Sequence, residues 1–347
     1  MQLLTLSAVK RLVVLFLVLG GLVAWTWWRM VRMPGESHRG PLPPLSPAER
    51  ALHDALARDV QQLAADIGER NVFVARKLRA AADYLESTLA NAGYKVQRHG
   101  FDVSGELCHN LEAELPGQTQ RHEIIVVGAH YDSVSGSPGA NDNASGVAAL
   151  LALARAFAGH ETGRTLRFVA FVNEEPPFFQ AAQMGSLVYA QACRQRGDNI
   201  VAMLSLETIG FYATTDGSQK YPFPLGWFYP RRGDFIAFVG DTAHAELVRQ
   251  CVASFRRQAQ FPSEGGALPG WLPGIGWSDH WAFWQAGYAA LMATDTAPFR
   301  YPYYHTPEDT PDKLDFERMA RVVAGLQKVI EELANPKGGG MRKSVSK

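Results

Sequence analysis

The stretch IIVVGAHYD, residues 124–132, decides the architecture: an unbroken apolar run stops at an imidazole, with a carboxylate two residues on. An apolar run without polar alternation suits the centre of a sheet covered by helices on both faces. In such sheets ligands gather beyond the carboxyl ends of the strands, which is where His130 and Asp132 fall. Two further runs behave alike: LRFVAFV at 166–172 ends in Asn173, Glu174, Glu175, Pro176 and Pro177, and VAMLSL at 201–206 ends at Glu207. Other strands are expected at 94–103, 108–114, 236–240 and 289–293, interleaved with helical segments, one near 146–158. The expected fold class is α/β, a three-layer α/β/α sandwich with a mixed, mostly parallel central sheet.

Composition agrees with one large domain. The chain has 347 residues, 47% of them apolar, and about 300 remain beyond the N-terminal segment, enough for a single core. Thirty-four basic residues balance thirty-four acidic ones, so no polyanionic partner is indicated and nucleic acid is excluded as the expected substrate. Cys108, Cys193 and Cys251 form no CxxC pair, so neither a cysteine zinc site nor a disulfide scaffold is indicated, and the odd count leaves at least one thiol free.

Residues 12–28 are uncharged, led by Lys10 and Arg11, closed by Arg29 and Arg32, and end in Trp25, Trp27 and Trp28. The length just crosses a bilayer and the tryptophans suit an interfacial belt. Residues 1–32 are therefore expected to be an uncleaved N-terminal membrane anchor, a transmembrane helix, in preference to a signal peptide or a buried helix. The catalytic part is expected to face the periplasm or the outside. GESHRGPLPPLS at 35–46 reads as an extended spacer, with a linker at 33–45, a folded domain at 46–335 and a disordered tail at 336–347. Ser46, Pro47 and Glu49 predict a helix start, and a helix over 74–91 buries Leu78, Ala81, Leu85 and Leu89 before Gly93 stops it.

Five candidate metal ligands occur in the order His130, Asp142, Glu175, Glu207, His305. Two imidazoles and three carboxylates can hold a pair of hydrolytic zinc ions. Asp132 is placed to accept a hydrogen bond from the second ring nitrogen of His130. Asp142 lies in the glycine-rich loop SGSPGANDNASG, 135–146, with two oxygens able to bridge two metals. Glu174 and Glu175 stand side by side at a strand mouth, where like charges repel and nearby positive charge must resolve the conflict. The natural division makes one a ligand and the other a general base. His305 comes from YPYYHTPEDT, 301–310, a turn rich in aromatics and proline.

GAHYDS, GANDNASG, FVNEE, LETIG, SDH and YHTPEDT together resemble the zinc-dependent aminopeptidases with two co-catalytic metals, metallopeptidase family twenty-eight, relatives of glutamate carboxypeptidase and glutaminyl cyclase. The resemblance covers residues 70 to 330 or so. It implies the zinc exopeptidase fold and two Zn2+ per chain, with His130 and Glu207 on one zinc, Glu175 and His305 on the other, and Asp142 between them. It also implies that Glu174 shuttles the proton, Asp132 supports His130, the Asp142–Asn143 bond is cis, and Tyr304 stabilises the tetrahedral oxyanion. Glu207 stands where many members carry aspartate. Ser278, Asp279 and His280 are expected to support the pocket, with Asp279 near a substrate amine; no GxSxG elbow accompanies them. Residues 217–234 and 265–277 are rich in aromatics and are expected at the rim. The expected activity is release of N-terminal residues from a peptide substrate by a zinc-activated water. The rivals are a glutaminyl cyclase-like acyltransferase, which a second metal equivalent would disfavour, and an inactive binding ectodomain, which should have lost ligands.

Overall fold

The structure, a computed structural model, describes residues 5–336; the tail expected at 336–347 lies outside it except for Pro336. An eight-stranded sheet forms the middle layer: β1 (Val96–Val103), β2 (Glu106–Leu115), β3 (Gln120–His130), β4 (Arg164–Phe171), β5 (Asn199–Glu207), β6 (Ile236–Asp241), β7 (Ser263–Leu268) and β8 (Ala290–Thr294). Their spatial order is β1-β2-β4-β3-β5-β8-β6-β7. β3 pairs in parallel with β4 and β5, β5 with β8, and β6 with β7, whereas β1–β2, β2–β4 and β6–β8 are antiparallel. The three runs singled out above are thus adjacent parallel strands whose carboxyl ends lie side by side. That adjacency is what brings ligands distant in sequence to one place.

The helices are α1 (Leu6–Met30), α2 (Pro47–Val60), α3 (Ala75–Asn91), α4 (Gly146–Phe157), α5 (Gly185–Arg196), α6 (Ala245–Gln258), α7 (His280–Gln285), α8 (Ala297–Arg300) and α9 (Phe316–Ala334). The capping box expected for α2 is present: Glu49 N donates to Ser46 Oγ at 3.2 Å and Ser46 N to Glu49 Oε2 at 2.8 Å. α3 buries the four expected residues and ends before Gly93, whose φ of +100° only glycine adopts freely. α4 is buried over nearly its whole surface, as a helix between the sheet and α2 and α9 must be. The glycine inside β3 answers a close approach: a Cβ on Gly128 would lie 2.3 Å from the Phe171 ring.

Two expectations fail here for the same physical reason. Residues 263–268, SEGGAL, belong to strand β7, where the sequence suggested that a rim loop begins at 265. A pair of glycines and no β-branched residue hide the strand. Gly265 is required because the N-terminal segment and α6 lie on it: a Cβ there would meet Met33 Cγ at 2.8 Å and Val252 Cγ2 at 2.7 Å, while one on Gly266 would meet the Tyr229 hydroxyl at 2.9 Å. The 33–45 segment is accordingly no free spacer. Arg256 Nη1 donates to the carbonyls of Pro34 (3.3 Å) and Gly35 (3.1 Å), Ser263 N donates to Ser37 Oγ at 2.8 Å, and Arg321 donates to the Pro43 carbonyl.

α1 is 25 residues long with a mean hydropathy of 2.1 over its most apolar window, long and apolar enough to cross a membrane, and none of it is buried.

Candidate metal centre

Each candidate ligand reaches the site from the end of a strand or from a loop beyond one. His130 is the last residue of β3 and Glu207 the last of β5. Glu174 and Glu175 follow β4 and turn away through Asn173, whose φ is +58°. Asp142 sits in the kinked turn before α4, its bond to Asn143 cis as expected. His305, at φ +59°, comes from the loop after α8.

The five expected ligands converge in two groups that share Asp142: His130, Asp142 and Glu207, and Asp142, Glu175 and His305. His130 Nε2 lies 3.4 Å from Asp142 Oδ1 and 3.2 Å from Glu207 Oε2. His305 Nε2 lies 3.0 Å from Asp142 Oδ2 and 3.2 Å from Glu175 Oε2. The two carboxylate oxygens of Asp142 therefore face different imidazoles, the arrangement of a bridge.

The donors fit zinc. Both Nε2 atoms are buried and make no hydrogen bond, so their lone pairs are aimed at something other than a proton donor. A tetrahedral ion with N and O donors at about 2.0–2.1 Å separates them by about 3.3 Å, which the observed spacings match. Without a cation the cluster holds protons instead. Burial opposes charge on His130, but Glu207 and Glu174 overcome it and hold its pKa well above the ordinary range. Burial likewise opposes charge on His305, and Asp142 and Glu175 raise it to about 10. Burial, with Asp142 adding, pushes Glu175 up to about 7, while His305 pulls against it. Burial also raises Asp142, but the two imidazoles overcome it and set its pKa below the carboxylate range.

Glu174 is buried, with its Oε2 3.9 Å from His130 Nε2. Burial first, then Glu207 and Glu175, push its pKa well above the carboxylate range, against the pull of His130. It is a carboxyl group able to hold a proton beside the ligand cluster.

Asp132 does more than the sequence reading assigned to it, and does the assigned part weakly. Its Oδ1 is 3.5 Å from His130 Nδ1, long for a hydrogen bond. Its oxygens instead accept the backbone N–H groups of Glu174 and Glu175, both at 3.2 Å. It clamps the segment that carries Glu174 and Glu175. The Tyr304 ring stacks on His305 with centroids 3.9 Å apart, and its buried hydroxyl is hard to ionise, burial and the nearby acids both raising it.

Ser278 supports the site as expected: its Oγ donates to Glu207 Oε2 at 2.7 Å, so the longer side chain at 207 is held in reach of His130. Asp279 does not fit a role at the substrate amine. It is fully buried, neither oxygen is hydrogen-bonded, and burial raises it to about 7.

Two supporting residues had not been singled out. Asp309, inside the quoted YHTPEDT stretch, accepts the backbone N–H groups of Asn141 (2.8 Å) and Asp142 (3.1 Å), fixing the turn that presents Asp142. Arg70 adds a buried positive charge near Asp132, Asp309, Asp142 and Glu175, whereas the pull on the paired glutamates comes from His130 and His305. Arg70 is fully buried, and donates to the carbonyls of Tyr131 (2.7 Å), Pro138 (2.5 Å) and Gly139 (2.8 Å). Burial lowers its pKa to about 10, with Asp132, Asp309, Asp142 and Glu175 opposing, so it stays charged at neutral pH. A lone arginine between polar residues carried no sequence signal for this.

Beside the cluster opens a cavity of about 90 Å³, partly open to solvent, bordered by Glu207 and Tyr304. Its walls are largely apolar, including Leu225, Phe235, Leu268, Ile275, Met292 and Phe299. The aromatic segments expected at the rim supply Tyr221, Tyr229 and Trp277 to it.

Residues 110–330 match the family model described as Peptidase family M28. A protein of Escherichia coli (strain K12) described as "Uncharacterized protein YfbL" is 37% identical over 291 residues, 81% of this chain and 88% of that protein. A "Probable leucine aminopeptidase" of Arthroderma otae is 29% identical over 233 residues, 62% of this chain and 56% of that protein. Among solved structures, BSAP, a zinc aminopeptidase from Bacillus subtilis, shares the fold, with a TM-score of 0.66 at 15% identity over 83% of this chain and 96% of that chain.

Proposed function

Because the chain belongs to peptidase family M28, we propose that this metallopeptidase is a membrane-anchored aminopeptidase that holds two zinc ions and removes N-terminal residues from peptides. The observation that carries the reading is the pair of unpartnered Nε2 atoms facing opposite oxygens of Asp142. His130, Asp142 and Glu207 would hold one ion, and Asp142, Glu175 and His305 the other. Zinc there would supply a Lewis acid for the scissile carbonyl and bring the pKa of water towards neutrality.

The chain's own residues supply the rest. Glu174 takes a proton from the attacking water as the water oxygen bonds to the carbonyl carbon. It returns that proton to the nitrogen as the carbon–nitrogen bond breaks, so no covalent enzyme intermediate is needed. Asp132 keeps Glu174 in place through the backbone, and the Ser278 hydroxyl holds the Glu207 carboxylate directly. Tyr304, at the cavity border, faces the oxyanion. The cavity takes the N-terminal side chain, and its apolar walls favour a large apolar one.

Support for an anchor that stays attached comes from residues 33–37, which are bound to β7 and α6 as part of the fold. The catalytic domain lies on the periplasmic or outer side in this reading. Glu174→Gln tests the mechanism: zinc content should stay at two per chain while turnover of aminoacyl substrates drops by about a thousandfold, the scale on which general bases act. Substantial residual turnover removes Glu174 from its role. Turnover of N-terminal glutaminyl peptides to a cyclic product, with no release of amino acids, would replace the hydrolase with the acyltransferase.

A further inference from the structure

Outside α1, seven large apolar side chains are exposed among the described residues, and five of them, Phe223, Trp227, Phe228, Trp271 and Trp277, fall on two loops. Chance placement on a soluble surface does not explain such clustering, because single exposed apolar residues are scattered while patches mark contact surfaces. Phe223, Trp227 and Trp271 are 80%, 74% and 81% exposed. The Phe223 and Trp227 rings contact each other edge-on at 5.2 Å, so they form one protrusion.

The position of these loops says what they meet. Leu225, between Phe223 and Trp227, clusters with Leu268 and Ile275, and Leu272, next to Trp271, packs on the same cluster. Met30, the last residue of α1, packs on it too. Met30 is two residues beyond Trp28, about 3 Å along a helix axis. Trp25, Trp27 and Trp28 are exposed, as a belt at a bilayer interface would be, and the Arg249 guanidinium lies 5.5 Å from the Trp28 ring centroid, tying α6 to that belt. The exposed aromatics therefore lie at the depth where an inserted α1 leaves the hydrocarbon. Arg231 and Arg232, both exposed, directly follow the first loop, and Arg29 and Arg32 flank the belt, a charge pattern suited to anionic headgroups.

We propose that the face formed by residues 221–229 and 269–277 rests on the bilayer that α1 crosses, with Phe223, Trp227 and Trp271 inserted among its headgroups. Leu225, Leu268 and Ile275 also line the cavity beside the metal centre, so the membrane contact and the wall of the substrate pocket are two sides of one element. The proposal rests on α1 being a membrane span, not on the hydrolytic reading.

The test uses the full chain in nanodiscs containing phosphatidylcholine and phosphatidylglycerol. The three native cysteines are buried, so Trp227→Cys, Trp271→Cys and Leu107→Cys can each carry a single fluorophore. Leu107 is an exposed apolar control on β2, six strands from β7 and so about 29 Å away across the sheet. Lipids bearing a headgroup-level spin label should quench the probes at 227 and 271 several-fold more than the probe at 107. Equal quenching at all three overturns the proposal, and leaves a protein partner as the occupant of this face. A chain that does not float with liposomes also overturns it. Turnover of a soluble aminoacyl substrate by the same labelled proteins reports on the peptidase reading separately, since none of the three positions lines the cavity.

Discussion

Replacing Arg70 by Met removes the buried cation while keeping much of its volume. Three backbone carbonyls, those of Tyr131, Pro138 and Gly139, then lose short charge-assisted bonds of 2.5 to 2.8 Å. At about 1.5–3 kcal/mol each these would sum to about 5–9 kcal/mol. The full sum is not expected, because removing a guanidinium also relieves its desolvation, the largest influence on its pKa. Breaking a buried charged network by deleting one partner typically costs about 3–5 kcal/mol, and that is the expected loss here. For a domain of about 300 residues this is a fall in Tm of about 5–8 °C. The measurement is thermal unfolding in detergent micelles with a chelator present, so that bound metal cannot mask the effect. Zinc affinity should fall as well, because Pro138 and Gly139 lead directly into the turn that presents Asp142. Arg70→Lys, which keeps the charge but not the fork, should lie between. If the Met variant melts within about 2 °C of the parent and takes up zinc with unchanged affinity, the account of Arg70 as the organiser of this loop is wrong.

Other outcomes follow from the same geometry. His305→Ala should lower bound zinc from two ions to one, measured by metal analysis of purified protein, and an unchanged count would remove His305 from the ligand set. Ser278→Ala deletes the hydroxyl that orients Glu207 and should weaken one zinc site by about 10–100-fold in a competition titration without moving Tm by more than a degree or two. In the metal-free protein, burial raises Glu175, Asp279 and Asp295 to about 7 and Asp309 to about 6 from ordinary values of 3.8 to 4.5. The folded state therefore keeps protons that the unfolded chain has released, so the contribution of these acids is full below about pH 4 and is lost as pH rises to about 7, and the raised imidazoles of His130 and His305 add a loss of the same sign above about pH 6.5. Chemical denaturation with chelator at pH 5 and pH 7.5 should give the higher midpoint at pH 5; the reverse order would contradict the buried-acid account.

Most of the candidate ligands are legible because each ends, or closely follows, a segment whose pattern is unambiguous. IIVVGA, LRFVAFV and VAMLSL are apolar on both faces, and the side chains just beyond them must share the sheet's carboxyl edge once the strands are parallel neighbours. The supporting residues were less legible because their partners are backbone atoms far away in sequence. Arg70 reaches Gly139 and Asp309 reaches Asn141, contacts that no periodicity encodes. Asp132 was assigned to the imidazole of His130 by analogy of type, whereas its position lets it accept two consecutive N–H groups of the next strand's extension. β7 is hidden because its two glycines answer distant neighbours, Gly265 making room for Met33 of the expected linker and Gly266 for Tyr229.

The turns that present the ligands show why local reading stops where chemistry starts. Asn173 before Glu174, Thr208 after Glu207, and His305 itself all have φ between +43° and +59°, a region that costs a residue with a side chain about 1–3 kcal/mol. No local preference would place a threonine there, so the conformation must be imposed by the surroundings. At Thr208 the imposing group is visible: its N–H donates to Asn143 Oδ1 at 3.1 Å, while Asn143 Nδ2 donates to the Leu206 carbonyl at 2.9 Å. Asn143 thus bridges the turn after Glu207 to the turn that carries Asp142, two of the three ligands of one metal group. Gly146 completes the arrangement, since a Cβ there would lie 2.3 Å from both Asn143 Oδ1 and the Leu206 carbonyl oxygen. The strain at 208 is tolerated because the same amide that enforces it also fixes the distance between Asp142 and Glu207, which makes the unfavourable backbone part of how the site is built.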